Sequence, residues 1–171
     1  MRILRWIGLV ALILGGAVVV VALVGASLPV NHTATRSAAF KAPPQQVWDV
    51  ISGPPTWRAD VLRYEGLPAR DGHRVWVEYG KADSKMTYEA VESDPPRTLV
   101  TRIADANLPF GGTWTYNIAP TADGGSTLTI TENGEIYNPI FRFISRYFIG
   151  YNATIDRYLQ ALQNKLAAPQ R

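Results

Sequence analysis

A long one-faced helix is predicted for residues 138–166, and it constrains the fold more than any other stretch. Asn138 is a suitable N-cap, and Pro139 suits the first helical position, where its missing N–H would have no partner. The apolar residues that follow are three and four positions apart and form one stripe: Ile140, Phe143, Ile144, Tyr147, Tyr151, Ile155, Tyr158, Leu159, Leu162 and Leu166. Such a stripe needs a sheet or other helices to cover it.

Short strand patterns precede this helix and supply the surface that it needs. They cover residues 33–40, 61–67, 74–79, 85–93, 98–103, 113–119 and 126–132. A short helix is predicted at 45–51, and residues 56–60 form either a second short helix or a loop. The turns between neighbouring strands, such as Asp123-Gly124-Gly125, are too short for parallel crossovers, so the sheet is antiparallel. The predicted fold class is α+β, with one face of the sheet covered.

The N-terminal segment is predicted to anchor the chain in a membrane. Residues 6–28 hold no charged side chain, and as a helix they would extend over about 35 Å, enough for a hydrocarbon core of about 30 Å. Arg2 and Arg5 precede the segment and no Lys or Arg occurs in residues 29–35. The positive-inside rule therefore places residues 1–5 in the cytoplasm, and the domain, after a linker at 29–32, on the outer, periplasmic side of the cell membrane.

Two further interpretations of this segment stay open. The small residues at 25–27 are typical of a signal-peptide cleavage site, although the apolar stretch exceeds the 7–15 residues of signal cores, which favours an uncleaved anchor. Ala11 and Gly15, and again Ala22 and Ala26, have the spacing of helix-pairing motifs. This spacing suggests a weak homodimer through the transmembrane helix.

Composition excludes several classes of function. Of 17 basic residues, two precede the apolar segment, which leaves 15 against 14 acidic residues, so no basic stripe for nucleic acid exists. Cys is absent, which removes disulfides, thiolate nucleophiles and Cys-based metal sites. The two histidines, His32 and His73, are far apart in sequence and do not form a metal-ligand motif. We predict no metal and no cofactor.

The residues assigned to the inner side of the sheet and helix are the candidate ligand site. In the strand at 74–79 the valines and Tyr79 are assigned inward, and Trp76 and Glu78 outward. The predicted cavity residues are Trp57, Tyr79, Met86, Tyr88, Leu99, Trp114, Tyr116, Ile130, Phe143, Tyr147 and Tyr151. Aromatic side chains with one polar end suit an apolar pocket with a few orienting hydrogen bonds, but they would equally fill a solid core.

Three polar or exposed features have alternative interpretations. Glu132 shares strand parity with Ile130; it is a weak catalytic candidate as an acid or base, paired with Arg142 or Arg146, or else a structural or solvated carboxylate. Residues 58–60 beside Trp57, which include an Arg and an Asp, form either a polar mouth or a surface ion pair. Residues 141 and 149, which lie off the main stripe, pack under the short helices or contact lipid.

Several stretches resemble one superfamily in particular. They are Ala42-Pro43-Pro44-Gln45-Gln46-Val47-Trp48, Trp57, Gly111-Gly112-Thr113-Trp114 and Asn138-Pro139. In this order they are similar to the helix-grip superfamily of START domains, the birch-pollen allergen and polyketide cyclases, called SRPBCC, and to its membrane-anchored bacterial members. The resemblance covers residues 33–167 and leaves a tail at 168–171.

The resemblance implies a helix-grip fold: a curved antiparallel sheet, two short helices and one long C-terminal helix, preceded here by the transmembrane helix. It further implies a cavity between sheet and helix that holds a hydrophobic small molecule or a lipid. A cyclase- or hydrolase-like enzyme that uses the same cavity, and a structural or interaction domain without catalysis, are the alternatives.

Overall fold

The computed structural model describes residues 2–168, so the predictions for Met1 and for residues 169–171 of the tail lie outside the described residues. The helices are α1 Arg2–Ser27, α2 Pro44–Ser52, α3 Pro139–Ile144 and α4 Ala153–Ala167, with a π-helical turn at Ser145–Ile149. The strands are β1 Asn31–Phe40, β2 Arg63–Arg70, β3 His73–Tyr79, β4 Lys85–Asp94, β5 Thr98–Ile103, β6 Phe110–Pro120 and β7 Ser126–Ile136.

All seven strands form one antiparallel sheet in the order β1-β7-β6-β5-β4-β3-β2. The first and last strands of the chain are neighbours, and the other strands follow as a meander. The α+β class and the helix-grip architecture predicted from the sequence are confirmed. β1 begins at Asn31, two residues earlier than predicted, because Asn31 and His32 already pair with Glu135 and Gly134 of β7.

Only one of the two predicted short helices forms. α2 buries Val47, Trp48 and Ile51 against the sheet. Residues 56–60 form successive turns, in which Arg58 N–H donates to the Pro55 carbonyl. A segment of five residues is too short for a stable helix, because most of its N–H groups would have no intrahelical partner.

The predicted C-terminal helix is divided in two. It begins as expected at Asn138, whose side chain accepts hydrogen bonds from the N–H groups of Ile140 and Phe141. It then passes through the π-helical turn and ends at Gly150, which has φ 78°, a conformation that favours glycine. Of its two parts, α4 covers the sheet and buries Ile155, Tyr158, Leu159 and Leu162.

The inward and outward residues of β3 are the reverse of the prediction. Trp76 belongs to the core cluster under α4 and stacks on Tyr88, its partner in β4. Val75 and Val77 therefore lie on the opposite face of the sheet, although they are only 1% and 7% exposed. Three consecutive buried residues give no alternation from which the face could be predicted.

α1 is attached to the domain through α3. Its segment Arg5–Ser27 is 23 residues long and, by length and composition, could cross a membrane. Gly25 is buried against the carbonyl of Pro139, and a Cβ at position 25 would overlap that group. The buried Arg142 donates from Nη1 to the Leu28 carbonyl at 2.7 Å. α3 is thus fixed beside the C-terminal end of α1.

Candidate functional site

A cleft of about 520 Å³ opens at one end of the sheet, between the turns at 58–61 and the end of the β3–β4 hairpin. Its lining combines apolar and charged side chains: Arg58, Ala59, Asp60, Val61, Glu78, Tyr79, Gly80, Lys81, Ser84, Lys85, Met86 and Tyr88. Three of the predicted cavity residues, Tyr79, Met86 and Tyr88, are in this lining. The cleft therefore lies at the edge of the cavity predicted from the sequence, and it is open to solvent.

Arg58 joins the two sides of this cleft. Its Nη1 lies 3.0 Å from Glu78 Oε2, and its Nη2 lies 2.5 Å from Asp60 Oδ2. The side chains of Arg58 and Glu78 are only 18% and 11% exposed. Trp76 Nε1 also donates to Glu78 Oε1 at 3.1 Å, so both oxygens of this carboxylate are bound. A mostly buried ion pair of this kind holds polar groups in a defined place at the base of the cleft.

The charges in the cleft alter one another's protonation. Burial alone would lower the pKa of Arg58, but the hydrogen bond with Asp60 and the charges of Glu78 and Asp60 raise it above its usual value. Burial alone would raise the pKa of Asp60, whereas Arg58 holds it below its usual value. Burial, and then the charge of Glu78, raises the pKa of Tyr88. At neutral pH Arg58 and Asp60 are therefore charged and the Tyr88 phenol is protonated.

Aromatic rings pack against one another beneath α4. The Tyr158 ring of α4 lies 5.3 Å from Trp57, 5.6 Å from Trp114 and 5.7 Å from Tyr116, measured between ring centroids. Leu99 and Ile130 are 3% and 0% exposed. Burial raises the pKa of Tyr116 to about 12. Of the predicted cavity residues, Leu99, Tyr116 and Ile130 are buried in the core, and Trp57 and Trp114, which are partly buried, pack against it.

Three predicted cavity residues lie elsewhere, and Tyr79 contributes to the cleft only at its edge. Tyr79 reaches the rim of the cleft, but its ring lies under the Arg63 guanidinium and its hydroxyl donates to Glu65, on the opposite face. Phe143 and Tyr147 pack against each other in α3 and the π-helical turn, with ring centroids 5.0 Å apart. The Tyr151 ring stacks on His32 at 4.1 Å.

Glu132 has a different partner from the one predicted. Arg142 is bound to Leu28, and Arg146 is exposed, so the predicted arginine pairing is wrong. The neighbour is His32, whose Nε2 lies 3.8 Å from Glu132 Oε1. Burial raises the pKa of Glu132, opposed by a hydrogen bond from Trp114, and burial lowers the pKa of His32. The His32 Nδ1 atom is buried and has no hydrogen-bond partner among the described residues.

The cleft residues that the sequence prediction leaves out include Val61, Glu78 and the 80–84 turn, and Arg58 and Asp60 are only an alternative there. The sequence analysis places Glu78 on the outer face of the sheet, because it assigns the inward and outward residues of β3 the wrong way round. Arg58 and Asp60 carried a usable signal, since they flank Ala59 next to Trp57 in a segment bounded by prolines. Glu78, which binds Arg58, lies 20 residues further along the chain.

A curved antiparallel sheet wrapped around a C-terminal helix, with a cleft at one end, defines a START-like ligand-binding domain. The model of the family described as polyketide cyclase/dehydrase and lipid transport matches residues 31–167, and the chain belongs to this family. Comparison with curated proteins finds no match.

Solved structures agree on the fold. A Mesorhizobium loti protein is 15% identical, with a TM-score of 0.63 and coverage of 82% of this chain and 100% of that one. A START superfamily protein from Mycobacterium smegmatis is 12% identical, with a TM-score of 0.63 over 79% of this chain and 97% of that one. Truncated norcoclaurine synthase from Thalictrum flavum is 10% identical, with a TM-score of 0.64 over 82% and 96%. At these identities the likeness establishes the fold and not the activity.

Proposed function

We propose that this protein is anchored in the cell membrane and binds a hydrophobic small molecule or a lipid in the cleft. The observation that carries the proposal is the combination of Met86, Val61 and the Tyr88 ring with the buried Arg58–Glu78 pair. An apolar wall with a few fixed polar groups suits an amphipathic ligand, because the wall buries its apolar part and the polar groups orient its head. The family description, which includes lipid transport, supports this class of ligand.

The membrane anchor is α1. We assign residues 6–28 to the span, residues 29–32 to the linker and residues 33–167 to the helix-grip domain. Arg2 and Arg5 at the N-terminal end favour a cytoplasmic N-terminus and a domain on the outer side. A poorly soluble ligand is concentrated in the bilayer, so an anchored cleft meets it where it accumulates.

The cleft lies at the end of the sheet from which α1 departs. Strand pairing places Asn31 beside Glu135 at the end of β7, and Phe110, at the start of β6, beside Ile136. Because the strands from β6 to β3 alternate in direction, the 80–84 turn between β3 and β4 lies at this same end of the sheet. This turn borders the cleft. This arrangement supports exchange of the ligand with the nearby membrane.

Purification of the full chain from membranes, followed by solvent extraction and mass spectrometry, tests the proposal. We expect a copurifying lipid or other apolar molecule, and a sharp loss of it in Met86→Trp, which fills the cleft. Ala122→Trp, in the exposed 121–125 turn at the far end of β7, is the matched control and should retain the ligand. If no molecule copurifies and lipid-loaded vesicles transfer none to the protein, ligand binding is excluded and an interaction domain remains.

A second candidate function, a cyclase- or hydrolase-like enzyme, is favoured by the Glu132–His32 pair. The two side chains are close, and burial moves their pKa values toward each other, which is suited to proton transfer. Turnover of the copurified molecule that is abolished in Glu132→Gln, with thermal unfolding no lower than that of the wild type and unchanged ligand retention, would establish it. Equal turnover in both proteins would exclude Glu132 as the acid or base.

A further inference from the structure

An exposed apolar surface follows the last strand, separate from the cleft. We call it the aromatic patch; its members are Tyr137, Ile140, Phe141, Tyr147, Phe148 and Ile149. Phe148 is 76% exposed and Tyr147 is 57% exposed. Large apolar side chains that cluster on one short segment mark an interaction surface rather than chance exposure.

The division of the C-terminal helix creates this patch. Because the chain turns at Gly150, α3 and the π-helical turn leave the line of α4 and do not pack on the sheet as α4 does. The Phe143 ring supports the patch from within, 5.0 Å from Tyr147 and 6.0 Å from Phe148. The exposed rings are therefore held outward on a packed base.

The aromatic patch lies beside the outer end of α1. The partly or fully buried positions at this end of the helix are Val21, Ala22, Val24, Gly25 and Leu28. The contact between Gly25 and Pro139 and the hydrogen bond between Arg142 and Leu28 fix α3 at this level. Residues 21–28 extend over about 10 Å, the last part of a span of about 35 Å, so α3 is level with the boundary between acyl chains and headgroups.

The charges around the patch suit a lipid surface. No acidic residue occurs in residues 136–155, and the exposed Arg146 lies within the patch segment. The nearest carboxylate, Glu135, accepts a hydrogen bond from the Tyr137 hydroxyl at the edge of the patch. Aromatic side chains are enriched at both interfaces of a membrane, and Trp6 occupies the opposite end of α1, where it is 67% exposed. Arginine beside aromatic rings matches phosphate headgroups above an acyl layer.

We infer that the aromatic patch is inserted in the outer interface of the bilayer, so that the domain docks on the membrane by a second contact besides its anchor. The inference rests on the proposed anchor but not on the proposed ligand. Two contacts, a spanning helix and an interfacial segment, restrict the rotation of the domain. They hold the same end of the sheet, at which the cleft opens, toward the lipid.

The absence of Cys from the chain allows single-site labelling. Phe148→Cys and Phe141→Cys report on the patch, Leu12→Cys reports on the anchor, and Ala122→Cys is the exposed control at the far end of β7. Each variant of the full chain carries an NBD label in nanodiscs of phosphatidylcholine and phosphatidylglycerol, with and without lipids that bear a doxyl quencher near the headgroup or deep in the acyl chain. Circular dichroism and thermal unfolding verify that each labelled protein is folded.

We expect labels at Phe148 and Phe141 to lose most of their emission to the shallow quencher, the label at Leu12 to lose it to the deep quencher, and the label at Ala122 to lose it to neither. If the patch labels behave like Ala122 while Leu12 is quenched, the inference is overturned and the anchor stands. Shielding of the patch from a water-soluble quencher without lipid quenching would indicate a protein partner and would also overturn it. If Leu12 is not quenched either, the anchor itself fails.

Discussion

Gly25 of α1 lies against the backbone carbonyl of Pro139 at the first position of α3, with no space for a side chain between them. This contact joins the apolar N-terminal helix to the helix-grip domain. The hydrogen bond from Arg142 to the Leu28 carbonyl secures the same junction three residues further along both segments. The orientation of the domain relative to α1 is therefore set by packing as well as by the short connection to β1.

Substitution Gly25→Leu should break this junction. A leucine there overlaps Pro139, and overpacking of a closed contact costs about 1–3 kcal/mol. We expect a lower midpoint of thermal unfolding in nanodiscs and faster hydrogen exchange in α3. Gly16→Leu in the same helix, where a Cβ meets no atom within 4 Å, is the control and should leave both unchanged. Equal behaviour of the two variants would contradict the packing described.

Substitution Glu78→Ala should destabilise the domain by about 2 kcal/mol. It leaves the buried Arg58 with one carboxylate and Trp76 Nε1 without an acceptor. Asp60 still pairs with Arg58, which limits the loss. Glu65→Ala, which breaks the more exposed Arg63–Glu65 pair on β2, is the control and should change stability little. Chemical denaturation of both variants measures the difference, and similar losses would refute a special role for the cleft pair.

The stability contributed by Glu132 should depend on pH. Burial raises the pKa of Glu132, with partial opposition from Trp114, so the folded state favours the protonated carboxyl. Stability is then highest below the usual pKa of 4.5 and falls as the pH rises through the raised value. Glu132→Gln should unfold at a higher temperature than the wild type near pH 7, and the difference should vanish below pH 4.5. The exposed Glu92→Gln should show no such change, and a destabilised Glu132→Gln at neutral pH would show that Glu132 is stabilised as an anion.

Substitution Leu162→Ala should cost about 3 kcal/mol, because it removes a fully buried side chain of α4 and leaves a cavity. Leu166→Ala, one turn later and only partly buried, should cost clearly less. Urea denaturation of the two variants tests where along α4 the buried core ends. A larger loss at Leu166 would place the core nearer the end of the helix than the structure does.

Much of the architecture could be predicted from the sequence, because it depends on patterns that are local. The uncharged stretch at 6–28, the N-cap Asn138 and the short turns between strands each depend on residues within one element. Antiparallel pairing then follows from the turn lengths. The candidate site was predicted only in part: Met86 and Tyr88 line the cleft, whereas Tyr116 and Ile130 fill the core.

The remaining features depend on residues that are distant in the chain. Trp76 stacks on Tyr88 of the next strand, on the face of the sheet that α4 covers. Its neighbours Val75 and Val77 are buried as well, so hydrophobic alternation along β3 does not indicate which face is inward. Glu132 lies beside His32, which β1 brings to it across 100 residues. Arg58, in the turns at 56–60, meets Glu78 of β3 only after the β2–β3 hairpin has formed. Periodicity shows which side chains are apolar along one element, but the space left between elements depends on how their side chains pack together, and packing is a property of the folded chain.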